Sequence, residues 1–196
     1  MYRTTTNSLT LYGRDGRRKY LTPAERGRFI AAAKVCSDPK ASTFCLILAY
    51  SGCRISEALS LTTGAVHVEE RSVTIRTLKR RDKLVVREIP LPEHLVALLQ
   101  NVHGLPTGDG AERLWNISRT AAWLLVKRVM LEAAIPAGVH ASPKGLRHGF
   151  AIHALRTNVP LSLVQRWLGH ASIATTAIYL QVMGAEEREI AERMWK

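Results

Sequence analysis

Apolar residues recur at helical spacing along most of the chain, and one stretch near the middle departs from that spacing. The sequence TPAE at residues 22–25 has the form of a capping box with proline at the first helical position, which predicts a helix start. Phe29 and Ala33 predict the buried face of this helix and leave Arg26 to solvent. The nearly continuous apolar run at residues 41–50 is too short for a membrane and predicts a fully buried helix.

The stretch that departs from helical spacing covers residues 66–91 and begins with the apolar residue just before them. Its apolar residues fall into three short groups separated by polar residues, a pattern typical of strands. We therefore predict a small three-stranded antiparallel sheet, with a basic turn at residues 79–83 between the last two strands. The three groups are Ala65, Val66 and Val68; Val73, Ile75 and Thr77; and Leu84, Val86 and Ile89.

Helical spacing returns after this stretch. Ser118 can cap one helix, Ser142 with its following proline can cap another, and a third is predicted over residues 160–168. The fold class is thus mainly α with a small three-stranded antiparallel β-sheet (α+β). Residues 1–20 are polar and basic with little periodicity, so we predict a flexible N-terminal arm. Residues 184–196 are predicted to form a C-terminal docking helix.

A last short helix before that segment is predicted to carry Tyr179. Its apolar stripe consists of Ile173, Ala177 and Leu180, and a turn of about 3.6 residues puts Tyr179 about 120° away from the stripe. A tyrosine that only filled the core would more often lie on the stripe. The position of Tyr179 therefore favours a chemical role.

The 196 residues carry 28 Lys and Arg against 16 Asp and Glu, a formal net charge of +12, which makes a polyanion the natural partner. A basic surface that only serves solubility is the alternative. The three cysteines include no C-x-x-C pair, which favours reduced thiols. Because no apolar run approaches ~20 residues and no signal-peptide core is present, we expect a cytoplasmic protein without a membrane partner.

Two short motifs carry the candidate chemistry, KGLRHGF at residues 144–150 and LGHASIATTAIY at residues 168–179. In the first motif, Lys144 and Arg147 fall in the first turn of a predicted helix, where unpaired amides and the helix dipole already favour an anion. Cations are unfavourable for the helix itself at that end. Their presence there suggests a function.

These motifs resemble the C-terminal signature of the tyrosine recombinases, the phage integrase family. Nine positions separate His170 from Tyr179, the separation used in that family. SGCRISEAL at residues 51–59 resembles the family's first arginine box. The resemblance covers residues 20–183. It implies a catalytic domain at residues 21–183 of a short-form member that lacks the usual separate N-terminal domain.

The resemblance implies a site-specific DNA recombinase or integrase that cleaves and rejoins strands through a covalent 3′-phosphotyrosyl intermediate, without a metal or cofactor. Tyr179 is the implied nucleophile. Lys144 stands where the family usually has histidine, which leaves the identity of the general base open. Lys79 is the implied acid for the leaving oxygen, with Lys83 as the alternative. The groups implied to bind the phosphate are Arg54, Arg147 and His170, with Glu57 and His148 in supporting roles.

The implied partner is double-stranded DNA, bound by a homotetramer of two dimers, with an accessory DNA-binding protein as a further candidate. Such a protein would contact the DNA backbone through exposed basic side chains. For Lys127 and Arg128, the alternative is a solvated helix face without a DNA contact. The candidates for contact with the backbone are Arg80, Arg81 and Lys83 of the basic turn, and Lys127 and Arg128 of the helix that Ser118 caps.

Three other interpretations stay open. His148, His153 and His170 could bind zinc, but the five-residue step between the first two is not the i, i+4 spacing that presents two ligands on one helix face. A type IB topoisomerase shares the same residues, including the lysine, and would relax supercoils as a monomer. A catalytically silent DNA-binding protein would keep the charge and the fold but would not need Tyr179 with both arginines.

Overall fold

A computed structural model describes residues 10–78, 84–105, 110–182 and 191–192. No helix in these ranges is long and apolar enough to cross a membrane. Short 3₁₀ helices lie at Thr63–Ala65 and Ile178–Val182. The other elements are α1 (Pro23–Lys34), α2 (Pro39–Ser51), α3 (Ile55–Leu59), β1 (Val66–His67), β2 (Ser72–Leu78), β3 (Leu84–Pro90), α4 (Glu93–His103), α5 (Arg119–Glu132), α6 (Pro143–Arg156), α7 (Leu161–Leu168) and α8 (Ile173–Ala177).

Local hydrogen bonds start the first helices. The Glu25 amide donates to Thr22 Oγ1 (3.2 Å) and the Thr22 amide donates to the Glu25 carboxylate (2.9 Å), which confirms the capping box. Asp38 caps α2, which is buried along most of its length and packs against α1, α4 and α6. α2 ends at Gly52 with a φ of 62°, and a Cβ at this position would collide with the Phe150 ring. The predicted buried helix is thus the centre of the core.

The three predicted strands form one antiparallel sheet in the order β1-β2-β3. Its register pairs Val73 with Ile89 and Ile75 with Arg87. Val73, Ile75 and Ile89 are buried against the main core, whereas Val86 is 54% exposed. The inward side of β3 therefore consists of alternate residues that include Arg87 and Ile89, and a charged side chain enters the interior.

A second apolar cluster lies between α6, α7 and the last 3₁₀ helix, and it includes Leu11, Val164, Leu168 and Tyr179. Leu11 is fully buried, and its carbonyl accepts the Lys19 amide at 2.8 Å. Residues 10–20 of the predicted arm thus contribute a buried side chain to this cluster, which the lack of periodicity in the segment did not indicate. Residues 1–9 lie outside the described ranges.

The predicted docking helix at residues 184–196 is described only at residues 191–192, which are helical. The rest of that prediction lies outside the described part of the chain.

Arg26 is not exposed as predicted. It is only 8% exposed, and its Nη2 donates to the Ala49 carbonyl of α2 at 3.0 Å. Its guanidinium also lies over the Tyr50 ring, 5.7 Å from the ring centroid. A long side chain can cover apolar surface while its charged end finds an acceptor, so helical spacing alone misplaces such a residue.

The apolar stripe predicted on the last helix is also wrong. Ile173 is 46% exposed and Leu180 is 41% exposed, whereas Thr176 and Tyr179 are buried. α8 ends at Ala177 and the chain continues as a 3₁₀ helix with about three residues per turn, so a stripe calculated for 3.6 residues per turn does not continue. Contacts with α6 decide instead that Tyr179 faces inward.

Candidate active site

Glu57 is the carboxylate around which the arginines of the site are arranged. It occupies the third position of α3 and accepts hydrogen bonds from the Arg54 backbone amide (2.8 Å) and from Arg54 Nη1 (2.7 Å). Glu57 is buried, whereas the Arg54 side chain is 45% exposed. The Arg54 guanidinium therefore extends from a buried anchor towards solvent.

Arg87 is a buried residue of the site that the sequence analysis missed. Its Nη2 donates to Glu57 at 2.6 Å, its Nη1 to Thr77 Oγ1 at 2.8 Å, and its Nε to the Trp167 carbonyl at 2.7 Å. These bonds join α3, the sheet and the end of α7. The available signal was strand alternation, since Arg87 is two residues from the buried Ile89 and so shares its face.

Glu57 is held as an anion. Burial alone would raise the pKa of Glu57, but the Arg54 amide and the Arg87 charge outweigh burial and lower it to about 2. Thr77 Oγ1 also donates to the carboxylate, at 3.0 Å. The carboxylate therefore stays charged at neutral pH and fixes both arginines.

Arg147 lies where two helices end. Its Nη1 donates to the carbonyl of Gly52, after α2, at 2.8 Å, and its Nη2 donates to the carbonyl of Leu168, the last residue of α7, at 2.6 Å. Such terminal carbonyls have no partner within their own helix. Burial, and then the nearby Arg54 charge, lower the pKa of Arg147 to about 10, which still leaves it protonated at neutral pH. Its remaining N–H groups are available to an anion.

Tyr179 is nearly fully buried, at 1% exposure. Its hydroxyl lies 2.9 Å from Nδ1 of His148. The His170 ring stacks on the Tyr179 ring, with centroids 6.4 Å apart and an interplanar angle of 14°. Nδ1 of His170 is 2.9 Å from Thr176 Oγ1. Two imidazoles therefore lie next to the phenol, and that of His148 contacts its oxygen.

All three of these rings are uncharged at neutral pH. Burial raises the pKa of Tyr179 to about 12, although Arg147 and Arg54 act in the opposite direction. Burial, and then the charges of Lys144 and Arg147, lower the pKa of His148 to about 3. Burial, and then Arg147 and Arg54, lower the pKa of His170 to about 4. Neighbouring cations and poor solvation thus act together on both histidines.

One cavity of about 500 Å³ brings most of the predicted site residues together. Lys144 lines it as an exposed side chain from the first turn of α6. Arg119 and Trp123, from the start of α5, also line it and were missed, because no motif marks them. The predicted residues along its wall are Arg54, Lys144, Arg147, His148, His170 and Tyr179.

Lys127 and Arg128 do not line this cavity. Lys127 Nζ donates to the Ala141 carbonyl at 2.8 Å, just before the cap of α6, and Arg128 is exposed. The candidates of the basic turn, namely Lys79, Arg80, Arg81 and Lys83, lie outside the described residues.

The cavity is suited to a phosphodiester anion. Its described wall contains guanidinium groups and neutral imidazoles but no carboxylate, and a phenol oxygen lies among them. Guanidinium groups offer paired donors to nonbridging oxygens, and neutral imidazoles can donate or accept a proton. Nδ1 of His148 and Nδ1 of His170 face Tyr179 and Thr176, and the described residues contain no group of three potential metal ligands.

The chain is similar to known proteins of one family. The chain matches the phage integrase family over residues 19–186. The tyrosine recombinase XerD of Mycobacterium tuberculosis is 37% identical over 156 residues, which cover 74% of this chain and 49% of that protein. The chain spans about half the length of the curated relatives it matches.

Two solved structures share the fold. The crystal structure of XerA recombinase has a TM-score of 0.72 and 28% identity, and the match covers 89% of this chain and 64% of that one. The pre-cleavage complex of XerH site-specific recombinase bound to its difH substrate has a TM-score of 0.69 and 20% identity, covering 94% of this chain and 60% of that one.

Proposed function

The chain belongs to the phage integrase family, and we propose that it is a site-specific DNA recombinase that cleaves and rejoins strands through a 3′-phosphotyrosyl link to Tyr179. The observation that carries this proposal is the cavity in which Tyr179, Arg54 and Arg147 meet. These residues come from three distant segments, and a fold without phosphoryl-transfer chemistry has no need to assemble them.

Arg54 and Arg147 would bind the nonbridging oxygens of the scissile phosphate and stabilise the charge that grows on it in the transition state. Both arginines are already oriented, Arg54 by Glu57 and Arg147 by two carbonyls. His170 would add a neutral donor. Little reorganisation is then required when DNA binds.

The leaving 5′-oxygen requires a proton. We assign this role to the basic turn between β2 and β3, with Lys79 as the first candidate and Lys83 as the second. Lys144, at the rim of the cavity, would stabilise charge on the phosphate. Rejoining requires no separate energy source, because the phosphotyrosyl link conserves the energy of the broken ester. The proposal assigns no step to a metal or a cofactor.

Double-stranded DNA is the proposed partner. The formal charge of +12 favours a polyanion, and the structurally similar XerH is bound to its difH substrate. The proposed assembly is a tetramer of two dimers on paired sites, with accessory proteins in some reactions. In this proposal residues 21–183 form the catalytic domain and residues 184–196 a docking helix.

Covalent trapping tests the nucleophile. The protein is incubated with nicked duplexes selected for binding from a random-sequence pool, and denaturing gels then separate free from protein-linked DNA. We expect a linked species that Tyr179→Phe abolishes and that the control Tyr12→Phe, at an exposed tyrosine, retains. Binding without any adduct would support a silent DNA-binding protein, and relaxation of supercoils by a monomer would support a topoisomerase.

A bridging 5′-phosphorothiolate identifies the acid in the same assay. Its thiolate leaving group is far less basic than an alkoxide and needs no protonation. A Lys79→Ala or Lys83→Ala variant that fails on the oxygen substrate and recovers on the sulfur substrate has lost the acid. If neither variant recovers, the acid lies elsewhere.

A further inference from the structure

The hydroxyl of Tyr179 has one close hydrogen-bonding partner among the described residues, and it is His148. Nδ1 of His148 lies 2.9 Å from Tyr179 Oη, with the ring centroids 5.6 Å apart and the ring planes at 54°. Both side chains are buried. His148 follows Arg147 directly in α6, so one helical turn carries both a phosphate-binding group and the contact to the nucleophile.

The other groups near the phenol are poorly suited to take its proton. The planes of His170 and Tyr179 are nearly parallel, and Nδ1 of His170 faces Thr176 Oγ1 instead. A protonated lysine or arginine has no lone pair, so Lys144 and Arg147 can donate but not accept. This leaves His148 as the neutral acceptor in contact with the phenol.

Among the described residues, no hydrogen bond fixes the protonation state of the second ring nitrogen of His148, Nε2. Nε2 is buried and has no hydrogen-bond partner among the described residues. No partner in that part of the chain therefore fixes the ring in one tautomer, and the proton can stay on Nε2 while Nδ1 accepts from the phenol. An unpaired buried nitrogen is costly in a purely structural histidine.

We propose that His148 is a catalytic residue, the general base that holds Tyr179 Oη and takes its proton during strand cleavage. This proposal rests on the proposed recombinase function. As the Oη–P bond forms and the P–O5′ bond breaks, the proton moves from Oη to Nδ1, and a lysine of the basic turn protonates the leaving O5′. On rejoining, the attacking 5′-hydroxyl returns its proton to the neutral lysine as the O5′–P bond forms, and the imidazolium of His148 returns its proton to the departing phenol oxygen as the Oη–P bond breaks.

The transfer depends on bound DNA. The cationic groups that face His148 are Lys144 and Arg147 of its own helix and Lys19 of the N-terminal segment, and His170 also lies nearby. With pKa values of about 12 for Tyr179 and about 3 for His148, the free protein keeps its phenol protonated. A phosphodiester bound in the cavity adds the negative charge that an imidazolium at His148 requires.

Two amide variants separate the two ring nitrogens. In His148→Asn the amide lies close to the position of Nδ1, so it can hold the phenol but cannot take its proton. In His148→Gln the amide reaches the position of Nε2 and loses the phenol. His153→Asn, on the same helix and outside the cavity, is the matched control. The probe is the selected nicked duplex with a 5′-phosphorothiolate, so that protonation of the leaving group does not limit the rate.

We expect the wild-type protein and His153→Asn to cleave at a rate independent of pH between 7 and 9. His148→Asn should be about 10²–10⁴-fold slower at pH 7, as is usual when a general base is removed. Its rate should rise about tenfold per pH unit, because hydroxide must then ionise the phenol. His148→Gln should be slower still at every pH, since it also loses the contact that orients the phenol.

A slow His148→Asn with the flat wild-type pH profile would overturn the proposal and leave His148 a structural residue, and so would wild-type rates in this variant. An absence of adduct with the wild-type protein at every pH is a different result, and it refutes the recombinase function itself. Circular dichroism checks that the variants fold.

If the variants do not fold, 3,5-difluorotyrosine at position 179 tests the same step in a chain that keeps His148. If His148 takes the phenol proton during the attack, the cleavage rate at pH 7 should depend little on the acidity of the phenol. The rate should then change by less than about threefold. An increase above about tenfold would show that the phenol ionises before attack, and it would exclude a base at His148.

Discussion

The candidate site consists of the cavity wall and the buried residues behind it. It has an arginine side, formed by Arg54, Glu57, Arg87 and Arg147, and a tyrosine side, formed by His148, His170 and Tyr179. On the arginine side the groups are charged, and each is held by a carboxylate, a carbonyl or a guanidinium. On the tyrosine side burial keeps every group neutral, and the hydrogen bonds are few.

This difference separates two tasks of the proposed reaction. A phosphate-binding surface works best when its charges are fixed before the substrate arrives, because no reorganisation is then required during the reaction. A nucleophile and its base are safer when neutral, since a buried phenolate or imidazolium without a counter-charge is costly. In the proposed reaction, the free protein would therefore present a prepared anion site next to an unreactive tyrosine.

The largest expected effect comes from removing the negative charge of Glu57, which holds the arginines of the arginine side. Glu57→Gln keeps the shape but leaves Arg54 and the buried Arg87 without a counter-charge, so we expect a loss of about 3–5 kcal/mol in the free energy of unfolding. Urea denaturation measures this loss. Glu93→Gln is the control, because the Arg71–Glu93 pair is 59% and 81% exposed and should contribute little. A loss below about 1 kcal/mol for Glu57→Gln would show that the arginine side does not depend on its carboxylate.

Acid titration of stability should separate the two sides by pH. The pKa values of His148 and His170 are lowered in the folded protein, so the unfolded chain binds more protons below about 6.5 and stability falls from there towards pH 4 and 3. The pKa of Glu57 is also lowered, so its contribution is present above about 4.5 and is lost as the pH falls towards 2.

Each group that titrates in this way changes the free energy of unfolding by at most about 1.4 kcal/mol per pH unit. Urea midpoints measured from pH 7 to pH 3 give the profile. His148→Asn should weaken the pH dependence of stability in the upper part of the profile, between about pH 6.5 and 4.5. Glu57→Gln should weaken it in the lower part, below about pH 4.5. An upper part that His148→Asn leaves unchanged would mean that this histidine is not held neutral by the fold.

The smallest expected effect concerns a contact that supports both sides equally. Lys127 donates to the Ala141 carbonyl next to the cap of α6, and α6 carries Arg147 of one side and His148 of the other. We expect Lys127→Gln to lower the free energy of unfolding by about 1 kcal/mol, the usual value of one hydrogen bond. Arg128→Gln, one residue along, should not change the urea midpoint. Equal results for the two variants would show that the Lys127 contact contributes nothing.

Much of the fold follows from short-range patterns in the sequence. The capping box of Thr22 and Glu25 and the caps at Ser118 and Ser142 all form where they are predicted. The three strands form within the predicted stretch. Each cap depends on hydrogen bonds within about four residues, so the local sequence contains the information that specifies it. The strands are indicated by their alternating apolar residues, which are also a short-range pattern.

Most of the chemically active residues of the cavity could be named in advance from the motifs they form, whereas Arg119 and Trp123, which belong to no motif, could not. Arg54, Arg147, His170 and Tyr179 line it together with Lys144 and His148. What the motifs could not supply was the contacts. The contact of Tyr179 with His148 spans 31 residues, and that of Arg87 with Trp167 spans 80.

The sequence by itself determined the caps of several helices, the stretch that forms the strands, the family of the chain and most residues of the candidate site. The tertiary structure alone decided that Tyr179 is buried against His148, that Arg87 holds Glu57 and that Arg26 reaches Ala49. The physical reason is the separation along the sequence between the residues that interact. Caps and turns are specified by neighbours in the chain, whereas burial and the partner of a buried charge depend on how distant segments pack.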